Sequence, residues 1–164
     1  NVYFYTIKEV SIPYVLKRGD PINPSCSALS SNFLGNSRFS EEEKLIAIED
    51  YDFFLQLILK KPRIKHLRKI LTVYDASTGC SHTRSFLDRS RIIYNKYSSF
   101  LSKSDLREVL RLYMWSKGCF FYNRKEYSMS RYYFSIAASS KIFKRKIQSN
   151  LAIIKSFVLQ YLNK

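Results

Sequence analysis

The stretch Ile48-Glu49-Asp50-Tyr51-Asp52-Phe53-Phe54-Leu55-Gln56-Leu57-Ile58-Leu59 constrains this chain more than any other, because three acids lead directly into a nearly unbroken apolar run. Phe54, Leu55, Ile58 and Leu59 recur at a spacing that lays them on one face of a helix and puts the acids in its first turn. There the free backbone N–H groups and the helix dipole favour negative charge. Acids so placed serve either as good N-terminal residues on a solvated helix end or as chemical groups, and the neighbourhood has to decide.

Upstream, residues 1–10 mix aromatic and β-branched side chains in the composition of a strand. Pro13, Gly19-Asp20-Pro21 and Pro24 mark residues 11–24 as a loop, and residues 25–33 read as a short buried strand or as an edge whose hydroxyls face a site. Leu34-Gly35-Asn36-Ser37 is a turn signal, after which Phe39 is expected to tuck under. Glu41, Glu42 and Glu43 then form a solvated helix start, with Ser40 as N-cap and Glu43 placed for a capping box.

Downstream, residues 60–69 hold six basic side chains around Pro62, which reads either as a solvated loop or as an anion patch for phosphate. Residues 70–74 have strand composition, and His82 reads as a polar loop residue. From Thr83 onward the pattern is helical. Phe86, Ile93, Tyr97, Phe100 and Leu101 mark one helix, and a second is capped by Ser104 and closed by Gly118. A third carries Tyr127, Phe134 and Ala137. The last bears a regular stripe that includes Phe143, Ile147, Leu151, Ile154 and Val158, expected to pack as core with a basic outer face, with a face lying against anionic headgroups as the second reading. Gly118, Tyr127, Phe134 and Ala138 faintly resemble one hairpin of a tetratricopeptide-type array, but a single unit establishes no repeat.

The chain has 164 residues, enough for one domain with a real core, and a formal net charge of +15. Such a balance attracts nucleic acid, anionic headgroups or phosphate-bearing substrates. The excess is uneven, since residues 102–164 carry 13 basic against 3 acidic side chains. Cys26, Cys80 and Cys119 are odd in number, far apart and without a Cys-x-x-Cys pair, which points to a reduced cytosolic setting rather than to a disulfide framework or zinc site. There is neither a signal pattern nor an apolar run of about 18 residues. The start at Asn1 suggests a piece of a longer protein.

Together, Pro24-Ser25-Cys26-Ser27-Ala28-Leu29, Phe39 before Glu41 to Glu43, the Glu49-Asp50-Tyr51-Asp52 core with its helix, then Leu67, Ile70, Leu71, Tyr74 and Gly79-Cys80-Ser81 follow one another in a familiar order. Over about residues 15–85 this order resembles the acceptor-side half of family 2 glycosyltransferases, inverting enzymes of the GT-A fold. At Tyr74-Asp75-Ala76-Ser77 the chain departs from that family's Tyr-Arg-x-His, with Asp75 for the arginine and Ser77 for the histidine.

The resemblance implies an α+β, mostly helical fold: residues 1–82 as the acceptor-side part of a catalytic domain with a partial GT-A-type α/β segment, and residues 83–164 as a C-terminal helical bundle. It implies transfer of a sugar with inversion from a nucleotide-sugar donor to a saccharide or lipid-linked acceptor, as in cell-envelope polysaccharide synthesis. Asp50 would be the general base, a role worth typically about 10² to 10⁴ in rate. Glu49 would position it, while Ser25, Ser27 and Asp52 would contact substrate.

A helix N-terminus would hold Asp50 ionised and make it less basic. Mg or Mn is expected for the intact enzyme, with its ligands in a nucleotide-binding half not found here, so the chain alone would be inactive. Asp50-Tyr51-Asp52 also reads as a metal-binding Asp-x-Asp, but only 49 residues precede Asp50, too few for the strand-helix units such a motif follows. The expected location is cytoplasmic, peripheral at the inner face of the plasma membrane. The competing reading is a basic helical binding module for anionic membrane or nucleic acid, with the acids acting only as caps. Aromatics placed on apolar stripes argue against nucleic acid.

Overall fold

The computed structural model describes residues 10–18, 24–65, 67, 69 and 84–162. Seven α-helices are found among them: α1 (Ile12–Arg18), α2 (Ser31–Leu34), α3 (Glu49–Leu59), α4 (Arg84–Lys96), α5 (Lys103–Asn123), α6 (Tyr127–Ala138) and α7 (Phe143–Leu162). Short 3-10 turns stand at Pro24–Cys26, Glu43–Leu45 and Ser98–Phe100. No strand occurs among the described residues, which corrects the α+β expectation to an all-helical one. The strand reading at 1–10, apart from Val10, which is in no element, the strand reading at 70–74, the departure at Asp75 and Ser77, and His82 lie outside the described residues.

The acid-led run forms α3, and this helix is the centre of the fold. Tyr51, Leu55 and Ile58 join Val15 and Leu16 of α1, Ile93, Tyr94 and Tyr97 at α4, and Val109 and Tyr113 of α5 in the main core. On its other side Phe53, Phe54 and Leu57 make a second cluster with Phe33 and Leu34. A helix buried on both sides needs apolar residues nearly all round, and Phe53-Phe54-Leu55 with Leu57-Ile58 supplies them. Leu59, placed by periodicity on the buried face, is exposed at the helix end.

Several local expectations are corrected by neighbours that periodicity does not see. Residues 12–18 form α1 rather than loop, since Pro13 sits in the first turn where a missing N–H costs nothing. Residues 25–33 are not a strand: a 3-10 turn and the single turn of α2 occupy them, and Ser25 through Ala28 are exposed. Gly35 does make the expected turn, at φ 53. Phe39 is half exposed, though its ring lies 4.4 Å from that of Phe53. No capping box forms at Ser40, whose hydroxyl accepts instead from the Glu42 N–H.

The cap of α5 is Ser102, which accepts from the Asp105 N–H, not Ser104. Gly118 does not close that helix but sits within it, at the crossing with α6. A Cβ there would stand 2.5 and 2.6 Å from Cδ1 and Cε1 of Phe134. Phe134 is 2% exposed and lies against Trp115 at 4.9 Å, so its ring has little room to yield. Alanine ordinarily gains about 1 kcal/mol over glycine in a helix. Here overpacking of about 1–3 kcal/mol opposes that gain. Gly118→Ala is therefore expected to lower stability by up to about 2 kcal/mol in thermal unfolding followed by circular dichroism, and a stabilised variant would contradict this packing.

Successive helices α5, α6 and α7 pack side by side. The Ser130 hydroxyl donates to the Gly118 carbonyl, and Phe121 stacks on Tyr133 with centroids 5.3 Å apart. The last helix corrects one more expectation. Its apolar stripe does not pack as core: Phe143, Leu151 and Ile154 are 75%, 60% and 61% exposed, while Arg145, Ser149 and Ser156 are buried.

Candidate functional site

The two acids expected to carry chemistry and the one expected to assist them face different ways. Asp50 is half-buried in the first turn of α3, and its Oδ1 accepts from the Tyr51 N–H at 2.7 Å. Burial raises its pKa; the Tyr51 N–H opposes the rise and the neighbouring Glu49 charge adds to it. The net direction is upward, so desolvation and the Glu49 charge outweigh the backbone N–H groups that favour the ionised form. Glu49 is partly buried, with its Oε2 enclosed and without a hydrogen-bond partner among the described residues.

Asp52 is fully buried and turned inward. Its carboxylate accepts from Gln56 Nε2 at 2.7 Å, from Lys96 Nζ at 2.9 Å and from the Tyr97 hydroxyl at 2.9 Å. Tyr97 is pushed well above the ordinary tyrosine range, by burial first and by the Asp52 charge next. That hydroxyl therefore remains a donor. These contacts tie α3 to α4 and leave Asp52 committed to protein donors. The sequence Asp50-Tyr51-Asp52 thus does not present two available carboxylates to a divalent cation. Among the described residues no three His, Cys, Asp or Glu side chains gather as a metal site.

Ser25 and Ser27 lie in and just after the exposed turn Pro24–Cys26, outside the first turn of α3. A shallow cleft of about 460 Å³ opens beside α4, lined by Glu42, Lys44, Leu45, Ile92, Asn95 and Lys96. Its charges are already engaged, Lys44 with Glu42 at 2.6 Å and Lys96 with Asp52 at 2.8 Å. Burial pushes the Cys119 thiol up to about 11, which disfavours the thiolate that a nucleophile needs.

A second polar centre, missed in the sequence, is Glu108 on α5. It accepts from Arg111, from the Ser140 hydroxyl at 2.6 Å and from the Lys141 N–H at 3.1 Å. Arg145 of α7 lies 3.9 Å from it and donates to the Lys17 carbonyl at 2.6 Å. Only the Glu108–Arg111 pair, three residues apart on one helix, could have been found by spacing.

No family model, curated protein or solved structure matches this chain. With the helical fold of the described residues, this overturns the resemblance to family 2 glycosyltransferases. What connects the remaining features is charge. Between Tyr127 and Leu162 stand Arg131, Lys141, Lys144, Arg145, Lys146 and Lys155, and no acid. Several cations lie over partly exposed rings: Lys117 over Tyr133 at 5.2 Å, Lys155 over Tyr122 at 5.7 Å and Arg131 over Phe157 at 5.4 Å.

Proposed function

We propose that the chain is a basic helical binding module that docks on phosphate-bearing anionic surfaces through α6 and α7, with α3 as its internal scaffold. The observation that carries this reading is the segment from Tyr127 to Leu162, which holds six basic side chains and no acid within a chain of net charge +15. Basic side chains near an anionic surface contribute about 1 kcal/mol each and act within a Debye length. Among the described residues the one ion pair this segment makes is that of Arg145, which reaches Glu108 from the buried side of α7.

The reading predicts co-sedimentation with vesicles of about 30% phosphatidylserine that weakens steeply between about 50 and 500 mM NaCl. Lys144→Glu combined with Lys146→Glu should weaken it about tenfold or more, because both side chains are exposed and reversed in sign. Retention by neither these vesicles nor a single-stranded RNA oligonucleotide, at either salt concentration, would sink the reading.

A further inference from the structure

A helix packed on one side against a helical neighbour ordinarily turns its apolar face inward and its polar face to water. The last helix does the reverse. Phe143, Ile147, Leu151, Ile154 and Val158 follow one another at three- and four-residue spacing, all on the outward face and all exposed. Arg145, Ser149 and Ser156, on the opposite face, are buried against the rest of the protein. Arg145 ties that inward face to the rest of the protein, meeting Glu108 and the Lys17 carbonyl, while Ser156 returns its hydroxyl to the Ala152 carbonyl within α7. The outward orientation is thus fixed by specific contacts, and a contiguous apolar face is left on the surface.

We infer that this outward face of α7 is an insertion surface for an anionic lipid bilayer, lying in the interface plane with its apolar side chains among the upper acyl chains. The inference rests on the reading that the chain docks on phosphate-bearing surfaces, and names the bilayer as the surface. Three observations select this occupant. Lys144 and Lys155 flank the apolar arc on one side and Lys146 on the other, where their long stems let the ammonium groups reach headgroup phosphates while the arc is buried. Among the described residues no helix is long and apolar enough to cross a membrane, so α7 suits lying on a bilayer, not spanning it. A second copy of the chain fits poorly, because a two-fold pairing of α7 would set an acid-free basic segment against its own like charge.

The test uses the full chain with Leu151→Ser and Ile154→Ser together, which remove apolar area and leave the charge unchanged. Both side chains are mostly exposed, so the fold is expected to persist, checked by an unchanged circular dichroism spectrum and melting temperature. Partition into vesicles of about 30% phosphatidylserine in phosphatidylcholine should fall about tenfold or more, while pure phosphatidylcholine vesicles bind neither protein well. An unchanged partition of the double variant, with salt-sensitive vesicle binding intact in both proteins, would overturn insertion and leave electrostatic docking standing. RNA binding without vesicle binding would overturn the inference in favour of nucleic acid. A concentration-dependent dimer in light scattering that the two serines dissolve would overturn it in favour of a second copy. Loss of binding to every anionic probe would remove the underlying reading itself.

Discussion

Asp52→Ala is expected to lower the unfolding free energy by about 2–4 kcal/mol, whereas Asp50→Asn, two residues away, should shift it by less than about 1 kcal/mol. The asymmetry follows from where each carboxylate goes. Asp52 has no exposed surface and three side-chain donors, one of them the nearly buried Tyr97 hydroxyl. Removing it leaves that hydroxyl, among the described residues, with the residue 52 backbone carbonyl at 3.3 Å, and opens space between α3 and α4. Lys96 adds less, since its side chain is 42% exposed and its ammonium returns to water when the partner is lost. Asp52→Asn keeps an acceptor and should fall between the two. Urea titration followed by circular dichroism ranks the three, and an Asp52→Ala midpoint equal to that of the parent would show that the α3–α4 tie holds nothing.

Glu108→Ala should cost a comparable amount, about 2–4 kcal/mol, because Arg145 would be left buried without its charge partner. The group also sets an acid limit. Burial raises its pKa, but the Ser140 hydroxyl, the Lys141 N–H and Arg111 outweigh burial, and the net direction is below the ordinary 4.5. A carboxyl depressed in the folded state stabilises fully above its unfolded pKa and loses that contribution as pH falls through the folded value. Stability should therefore hold from neutrality to about pH 5 and decline below it. Glu108→Gln should be less stable at pH 7 and should flatten that decline. An acid profile identical to the parent's would mean that Glu108 gains nothing from its partners.

The acid-led run was legible as a helix because its spacing is local, and α3 stands where the period puts it. Which of its acids turns inward was not legible. Asp52 is held by Lys96 and Tyr97, 44 and 45 residues away, and nothing near residue 52 announces them. Gln56, one turn on, was the only local hint. The segments of α4 through α7 were read in about the right places, but their ends and faces were set by tertiary contacts.

Gly118 looked like a terminator by composition and proved to be the place where Phe134 enters the α5 surface. The stripe of α7 was visible as a period, yet a period states only that a face exists. Its direction was decided by Arg145, Ser149 and Ser156, residues that would ordinarily be assigned to solvent. The hydroxyl-rich stretch 25–33 misled for a related reason: its composition suited an edge lining a pocket, and it forms an exposed turn followed by one helical turn.

The most direct test of the central claim, that the acidic helix is scaffold and the acid-free helices are the working surface, is amide hydrogen exchange of the full chain with and without vesicles of about 30% phosphatidylserine. The account predicts slowed exchange across residues 143–162, with 49–59 unchanged because that helix is already buried in the free protein. Slowed exchange at 49–59 with α7 unaffected would contradict it, and would return the acidic turn to consideration as the site.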